Sequence, residues 1–241
     1  MKSIYFISDV HLAFEEDGEE RAKREKLLGF CDFIMEQASA LYILGDLFDF
    51  WFEWHHVVPG YWFPILHQLR KMVDAGIAVH FTTGNHDFYT GDYLQKEIGL
   101  VCHREAVEFS IGGKRFFAAH GDGLAKKDRG YRLVKRIIRH RFSIFCYRNF
   151  IPADIGMFMA RLTSRSSRKL VKIDRAAWGE EYFQFARQKF REGFDYVLLG
   201  HIHQPMHRQE GGKVYVNCGD WLSHFTYARF DGRQLTLNHW Q

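Results

Sequence analysis

The chain has 241 residues, an apolar fraction of 46% and a formal net charge of +4. This length and composition suffice for one large α/β core, and no run of 18 or more apolar residues indicates a membrane span. The first residues are already strand-like and no small-residue cleavage site follows them, so we expect no signal peptide. The four cysteines show no paired spacing, which predicts reduced thiols in a cytosolic protein.

The positive charge is concentrated in one segment. Residues 126–175 contain fifteen Lys or Arg and three Asp, with no Glu, so this segment carries +12 and the rest of the chain −8. Such an asymmetry indicates an anionic partner, which could be lipid headgroups, nucleic acid or a phosphorylated substrate. The alternative is a basic helix face that is simply solvated.

Apolar runs and helical stripes alternate in the first half of the chain. The pattern predicts strands over residues 3–8, 41–44 and 78–82, with helices over 19–37 and 61–75 between them. Strands that alternate with helices at this spacing predict βαβ units and a mostly parallel sheet.

The second half has shorter elements around a basic insertion at 124–175. The sequence predicts a hairpin over 107–119, a helix over 176–192, strands over 196–199 and 213–217, and a final strand pair over 224–238. We therefore predict an α/β fold in which two sheets pack as a sandwich. Residues 1–241 are expected to form one domain that carries a single insertion.

Five short segments place Asp, Asn or His directly after an apolar run. They are Asp9-Val10-His11, Gly45-Asp46, Gly84-Asn85-His86-Asp87, His120-Gly121-Asp122 and Gly200-His201-Ile202-His203. Because the carboxyl ends of strands meet at one edge of an α/β sheet, these side chains should converge. Carboxylates, an amide oxygen and imidazoles suit two divalent metals that act on a phosphate ester. Each segment alone is a weak signal, since a strand-end Asp is also a common turn residue.

Taken in order, the five segments resemble the signature of the calcineurin-like metallophosphoesterases, from Asp9 to His203. The resemblance implies a four-layer α/β/β/α sandwich with a helical cap insertion at about 124–175, and a pair of divalent metal ions. It also implies which residues bind the metals. Asp9, His11 and His203 would bind the first metal, and Asn85, His120 and His201 would bind the second. Asp46 would bridge the two metals. Mn²⁺ is the expected metal, with Fe²⁺, Zn²⁺ or Co²⁺ also suited to this mixture of oxygen and nitrogen ligands.

Two further residues follow from the same resemblance. His86 is expected to face the phosphoryl group of the substrate without binding a metal. Asp87 is expected to orient His86, as carboxylates beside imidazoles often do in metal sites. These two residues are the predicted catalytic groups.

A narrower resemblance rests on the stretches FISDVHL, LGDLFDFW, GNHDF, HGDGL and GHIHQP and on Gly219-Asp220-Trp221. They are similar to the UDP-2,3-diacylglucosamine diphosphatase group of lipid A biosynthesis. The resemblance implies hydrolysis of a nucleotide-linked glycolipid diphosphate to a lipid monophosphate and UMP. It also implies a cytoplasmic protein that is peripheral at the inner membrane of a Gram-negative bacterium.

One residue departs from that group. This chain has His86 where those enzymes carry Arg (GNHDF against GNRDF), and histidine is the commoner residue in the wider superfamily. The alternative function is therefore a soluble phosphodiesterase or phosphatase that acts on another phosphoester, such as a nucleotide or a phosphoprotein.

The insertion interleaves arginines with apolar and aromatic residues. This mixture suits an anionic membrane surface, or a pocket for acyl chains under a charged headgroup. The predicted substrate-binding residues are Arg161, Arg165, Arg168, Phe142 and Phe158. The density of apolar residues in the insertion argues against a nucleic-acid partner. An alternative role for these apolar residues is to pack the insertion onto the core. No segment of the sequence specifies an oligomeric state.

Overall fold

The structure is a computed structural model that describes residues 2–14, 17–124, 129–170 and 175–241, with side chains described outside 125–131 and 163–177. The strands, in chain order, are β1 Ser3–Ile7, β2 Ala38–Leu44, β3 Ala78–Thr82, β4 Val101–His103, β5 Val107–Ile111, β6 Lys114–Ala118, β7 Tyr196–Leu199, β8 Met206–Glu210, β9 Lys213–Asn217, β10 Thr226–Phe230 and β11 Leu235–His239. The helices are α1 Gly18–Met35, α2 Phe63–Asp74, α3 Tyr93–Lys96, α4 Arg129–Ile138, α5 Arg141–Phe150, α6 Ala153–Leu170 and α7 Arg175–Arg191.

The strands form two mixed sheets. The first is six-stranded in the order β11-β10-β1-β2-β3-β4, and β1 to β4 run parallel while β10 is antiparallel to β1. The second is five-stranded in the order β5-β6-β7-β9-β8, with β6, β7 and β9 parallel. The parallel centre of each sheet brings strand ends that are distant in the sequence to the same edge.

Alternate side chains of each central strand face different layers, because successive residues of a strand point to opposite sides of the sheet. On β1, Tyr5 and Ile7 pack with the apolar faces of α1 and α2, whereas Ile4 and Phe6 pack against the second sheet. On β7, Val197 packs instead with α7 on the far side of the second sheet. The layers are therefore helix, sheet, sheet, helix, which confirms the predicted α/β sandwich.

Most of the predicted elements are present with small shifts of their ends. The helix predicted over 61–75 is a short 3-10 turn, Gly60–Trp62, followed by α2. Helix α1 begins at an N-cap, where the Asp17 side chain accepts a hydrogen bond from the backbone N–H of Glu20 at 2.8 Å. The structure adds β4, β8 and the short α3, which the sequence patterns do not indicate.

Helices α4, α5 and α6 lie in the sequence between β6 and β7, within the predicted insertion. Hydrogen bonds are among the contacts between this segment and the first half of the chain. Trp54 donates a hydrogen bond from its indole N–H to the carbonyl of Ile151 at 3.1 Å, and Arg148 donates one to the hydroxyl of Tyr89 at 3.3 Å. None of the described helices is both long and apolar enough to cross a membrane.

Candidate metal centre

The polar residues that follow the central strands of both sheets meet at one end of the sandwich. The first sheet supplies Asp9 and His11 after β1, Asp46 after β2, and Asn85 after β3. The second sheet supplies His120 after β6, and His201 and His203 after β7. The site therefore spans both sheets, as expected for loops that leave the carboxyl ends of parallel strands.

Five of these residues have a backbone that side chains other than glycine rarely adopt. Their φ angles lie between 49° and 72°, in the left-handed region, and they are Asp9, His11, Asp46, His201 and His203. Each such conformation costs on the order of 1 kcal/mol or more, so it persists only where the surrounding structure imposes it. Strain of this kind is typical of functional sites, and here it coincides with the predicted metal ligands.

Two glycines allow the strand-end loops to approach each other. A Cβ atom on Gly84 would lie 2.1 Å from Oδ1 of Asp46, and one on Gly200 would lie 1.9 Å from Oγ of Ser8 and 2.6 Å from Oδ2 of Asp9. Only glycine fits at either position without displacing a buried carboxylate. In the motifs Gly84-Asn85 and Gly200-His201, the glycine is therefore required by the close approach of the loops, and the second residue supplies a candidate ligand.

The first group of candidate ligands consists of Asp9, His11 and His203. One potential ligand atom from each lies within 4.8 Å of the others. The Nε2 atoms of His11 and His203 are 3.2 Å apart, and Nε2 of His203 is 3.4 Å from Oδ1 of Asp9. Asp9 and His11 are buried, while His203 is partly exposed.

Two carboxylates lie behind the imidazoles of this group. Oδ1 of Asp49 is 3.4 Å from Nδ1 of His11, and Oδ2 of Asp220 is 3.8 Å from Nδ1 of His203. Burial lowers the pKa of His11, but Asp49 and the other nearby carboxylates outweigh burial and raise that pKa to about 10. The carboxylates therefore favour positive charge at this point and direct the Nε2 atoms toward the centre.

The second group consists of Asp46, His120 and His201, whose candidate ligand atoms also lie within 4.8 Å of one another. His120 donates a hydrogen bond from Nδ1 to the carbonyl of Leu44 at 2.8 Å, which leaves its Nε2 lone pair facing the centre. This Nε2 atom is 3.0 Å from Oδ1 of Asn85 and 3.2 Å from Nδ1 of His201. Asn85 is therefore close enough to complete the group with its amide oxygen.

Asp46 lies between the two groups. Its Oδ2 atom is 3.7 Å from Nε2 of His11 and 3.4 Å from Nε2 of His120, and its Oδ1 atom accepts a hydrogen bond from the backbone N–H of His86 at 2.9 Å. Burial raises the pKa of Asp46, but the surrounding imidazoles, His120 foremost, hold it well below its ordinary value. An ionised carboxylate in this position has the placement that a bridging ligand requires.

The residues present fit a pair of divalent cations. Oδ2 of Asp9 accepts hydrogen bonds from the hydroxyl of Ser8 at 2.5 Å and the backbone N–H of His201 at 2.8 Å. Oδ1 of Asp9 is buried and has no hydrogen-bond partner among the described residues. A buried carboxylate oxygen without a partner is costly, and a metal ion would satisfy it. That each of the predicted residues binds a metal stays a prediction.

Among the described residues, the Asp87 carboxylate bonds to backbone groups and not to the His86 ring, so its role in orienting His86 stays a prediction. The carboxylate of Asp87 is fully buried and accepts hydrogen bonds from the backbone N–H groups of Gly84 at 2.8 Å, Asp46 at 3.1 Å and Leu47 at 2.8 Å, with Phe48 more distant at 3.4 Å. It therefore joins the loop after β3 to the loop after β2. Adjacent residues in a tight loop can project in different directions, so their sequence proximity did not predict a contact.

The His86 ring is held by backbone instead. Its Nδ1 donates a hydrogen bond to the carbonyl of Asp49 at 2.8 Å, and the ring lies edge-on to that of His11, with centroids 4.8 Å apart. Its other nitrogen remains available at the centre. A ligand atom of His86 also lies within 4.8 Å of those of His11 and Asp46, so the structure places it at the edge of the first group.

The predicted substrate-binding residues are not gathered at the centre. Phe142 and Phe158 are 68% and 59% exposed, on α5 and α6 respectively. The Arg161 guanidinium lies 5.6 Å from the ring centroid of Phe14, beside a cleft of about 310 Å³ that Phe158 also lines. Arg165 and Arg168 belong to α6, and their side chains lie outside the described residues. Substrate binding by these five residues stays a prediction.

The aromatic run after Asp46 packs in the interior. Phe48, Trp51, Phe52 and Trp54 are all buried, and Phe52 and Trp54 contact Tyr147 of α5 with ring centroids 4.8 and 5.9 Å away. In the structure the second half of the run forms the apolar contact between the core and α5.

Sequence reasoning gave no role to two charged residues beside the centre. Asp122 forms an ion pair with Lys135 at 2.6 Å and lies 3.8 Å from Arg139, and Arg139 donates a hydrogen bond to the carbonyl of Gly84 at 2.6 Å. These contacts attach α4 to the strand-end loops. Arg139 is one of fifteen cations in its segment, so nothing in the pattern distinguishes it.

Comparison with known proteins agrees with this geometry. Residues 2–205 match the model of the family described as calcineurin-like phosphoesterase. A phosphoesterase from E. coli, Yfce, has the same fold, with a TM-score of 0.50 and 15% identity over 99% of this chain and 93% of that chain.

Relatives of similar length are also known. The chain is 31% identical to a UDP-2,3-diacylglucosamine hydrolase of Porphyromonas gingivalis, over 97% of this chain and 96% of the relative. It is 32% identical to a protein of the same name from Neisseria meningitidis, over 96% and 95%, and 28% identical to one from Pseudomonas savastanoi, over 98% and 94%. The chain therefore belongs to the calcineurin-like phosphoesterase family, whose members are metal-dependent hydrolases.

Proposed function

We propose that the protein hydrolyses the diphosphate of UDP-2,3-diacylglucosamine to a lipid monophosphate and UMP. Relatives that span nearly the whole chain at about 31% identity carry the name of that activity. The observation that carries the proposal is an apolar surface on helices that Lys135 and Arg139 attach to the strand-end loops. A metal centre contacts only the phosphoryl group, so selectivity for an acylated substrate needs such a surface elsewhere.

This surface lies on α4, α5 and α6. Its large apolar side chains are between 43% and 70% exposed, and they are Leu133, Val134, Ile137, Ile138, Phe142, Phe145, Phe150, Ile155, Phe158, Met159 and Leu162. So many exposed apolar side chains on neighbouring helices mark a binding surface. We propose that residues 124–175 form a helical cap, that the apolar side chains contact the acyl chains, and that the whole chain is a single domain.

The metal ions complete the proposed site. Asp9, His11 and His203 would hold one ion, Asn85, His120 and His201 the other, and Asp46 both. Two divalent ions neutralise the charge of a phosphoryl group and lower the pKa of a bound water. Mn²⁺ suits this ligand set, and Fe²⁺, Zn²⁺ and Co²⁺ share its preferences.

The protein's own groups would then orient the diphosphate. His86, fixed by the carbonyl of Asp49, would present its Nε2 atom to the phosphoryl oxygen. When both ring nitrogens carry a proton, Nε2 can donate a hydrogen bond or a proton there. In hydrolysis, the water oxygen bonds to phosphorus, the phosphorus–oxygen bond of the diphosphate breaks, and the leaving phosphate keeps the bridging oxygen. The water proton is released to solvent or to the leaving group.

The same helices suit a peripheral position at an anionic membrane. They combine the exposed apolar side chains with a segment that carries +12, and each basic residue near such a membrane contributes about 1 kcal/mol of binding. Replacing Arg161, Arg165 and Arg168 by Glu should weaken binding to anionic vesicles in a flotation assay, and added salt should weaken binding of the parent protein. Vesicle binding that is insensitive to both changes would contradict the peripheral position.

The proposed activity is tested by comparing two substrates. Each buried methylene group contributes about 0.8 kcal/mol, so a few of them change kcat/KM by about 100-fold. UDP-2,3-diacylglucosamine should therefore react at least about 100-fold faster than deacylated UDP-glucosamine in the manganese-loaded protein. Phe158→Ser should reduce this preference, whereas Phe33→Ser, at a residue that is 44% exposed on α1, should not. Equal rates on the two substrates would contradict the proposal.

One observation favours a second candidate function. His86 stands where the lipid A enzymes carry arginine, so the group that faces the phosphoryl oxygen differs. A phosphodiesterase or phosphatase for another phosphoester would have the same metal centre. Equal rates on the acylated and deacylated substrates, together with faster hydrolysis of a nucleotide phosphodiester, would support this candidate.

A further inference from the structure

A basic groove lies on the side of the candidate metal centre that faces α5. Its volume is about 630 Å³, which is within the range of small-molecule sites. It is lined by His55, Phe88, Tyr89, Arg104, Glu105, Arg139, Arg141, Ile144, Phe145, Arg148 and Asn149. Cationic and aromatic side chains therefore dominate its wall.

The charge of this groove is not balanced locally. Four arginines face a single carboxylate, that of Glu105. Among the side chains that the structure describes, Arg104, Arg141 and Arg148 form no ion pair. The Nε atom of Arg148 is also shielded from solvent, and it has no hydrogen-bond partner among the described residues. Three guanidinium groups without carboxylate partners, one of them partly shielded from solvent, indicate a site for an anion, and arginine binds phosphate in particular.

The groove lies next to the loop that carries the candidate ligand Asn85. Phe88 and Tyr89 follow His86 by two and three residues, and both are half-buried. Arg139 lines the groove and donates a hydrogen bond to the carbonyl of Gly84, next to the candidate ligand Asn85. The groove and the candidate ligands therefore share the loop after β3 and the contact that Arg139 makes with it.

A second cleft differs from this groove in chemistry. Its volume is about 310 Å³, and it is lined largely by apolar residues, including Phe14, Trp54, Met157 and Phe158, with Arg161 and Asp154 as its charged side chains. The two clefts share no residue. A substrate with one polar, phosphate-bearing end and one apolar end would thus have a separate place for each.

We infer that the basic groove binds the nucleoside phosphate end of the substrate. Guanidinium groups would bind the phosphate bidentately, and the ring of Phe88 or Tyr89 would stack on the base. This inference rests on the proposed function, because the hydrolysis of a UDP-linked lipid leaves UMP at this position. The phosphates of lipid headgroups are the alternative ligand for these arginines, because they carry the same chemical group.

The test is the affinity of the manganese-loaded protein for UMP, measured by calorimetry. Loss of one charge-assisted hydrogen bond should raise the Kd about 10-fold in Arg141→Gln and in Arg148→Gln. Arg141→Lys should retain part of the affinity. Arg233→Gln removes an arginine from the turn between β10 and β11 and is the matched control, with an unchanged Kd. Arg141 is exposed, so its replacement tests the inference even if the Arg148 variant is unstable.

Two outcomes would overturn the inference. The first is a Kd for UMP that is the same in both groove variants as in the parent protein. The second is weaker binding of the variants to anionic vesicles with no change in UMP affinity, which would assign the arginines to lipid headgroups. Failure of the proposed function has a different signature, because the parent protein would then fail to cleave UDP-2,3-diacylglucosamine whatever the UMP titration gives.

Discussion

Replacing Asp87 by asparagine removes a buried carboxylate that holds two strand-end loops together. Burial and the charge of Asp46 raise the pKa of Asp87 to about 7, so the comparison is made at about pH 8.5, where the carboxylate is ionised. Its Oδ2 atom accepts from the N–H of Leu47 at 2.8 Å, with Phe48 at 3.4 Å, and its Oδ1 atom accepts from Gly84 and Asp46. In the variant, one oxygen becomes an NH₂ group, which cannot accept and would face a backbone donor. A hydrogen bond to a charged group contributes about 1.5–3 kcal/mol, and an unsatisfied buried donor costs a similar amount.

We therefore expect Asp87→Asn to lower the free energy of unfolding by about 2–4 kcal/mol. With a urea m-value of about 3 kcal/mol per molar, the unfolding midpoint falls by roughly 1 M. The assay is urea denaturation followed by far-UV circular dichroism, with manganese content measured on the same samples. Asp231→Asn is the matched control, because Asp231 also accepts two backbone hydrogen bonds but in a hairpin turn, where asparagine serves as well.

A different result would support the sequence-based prediction for Asp87. If Asp87 acts by orienting His86, the variant would lose kcat while its unfolding midpoint and its manganese content stay at the parent values. That combination would refute the reasoning from the backbone hydrogen bonds.

Three further predictions concern the centre itself. Asp46→Asn removes the negative charge between the two groups, so metal occupancy and turnover should fall together; full activity in a chelated, metal-free preparation would contradict the two-metal assignment. His86→Ala should lower kcat by about 10²–10⁴ with nearly unchanged metal content, and loss of one metal equivalent would instead make His86 a ligand. Gly200→Ala places a Cβ atom against Ser8 and Asp9, so manganese affinity should fall at least about 10-fold in a fluorescence or calorimetric titration, and an unchanged affinity would show that the loop can yield.

The sequence predicted the strands well where they are buried. β1, β2, β3 and β7 are runs of apolar residues with buried side chains, and their ends carry the motifs that locate the centre. β8 reads Met-His-Arg-Gln-Glu and is largely exposed at the edge of the second sheet, so it has no apolar pattern. It exists because it pairs with β9, and such pairing depends on contacts that periodicity does not encode.

At the candidate metal centre, the sequence likewise predicted one set of residues, the candidate ligands, but not the groups that support them. The residue types that can bind a metal are recognisable in the chain, but the contacts that orient them are not. Asp220 lies behind His203 although the two are 17 positions apart, and Asp49 lies behind His11. These pairs form only when the two sheets and their loops are in place.

The candidate ligands come from both sheets, and this has a consequence for the lifetime of the protein. Asp46 follows a strand of the first sheet, and His120 and His201 follow strands of the second. A cation held among them would act as a cross-link between the two halves of the sandwich, and the unfolded chain has no equivalent site. By mass action, a free metal concentration 100 times the Kd would add about 2.7 kcal/mol to stability. Cellular metal supply would then govern resistance to proteolysis as well as turnover, and metal starvation would reduce the amount of the protein.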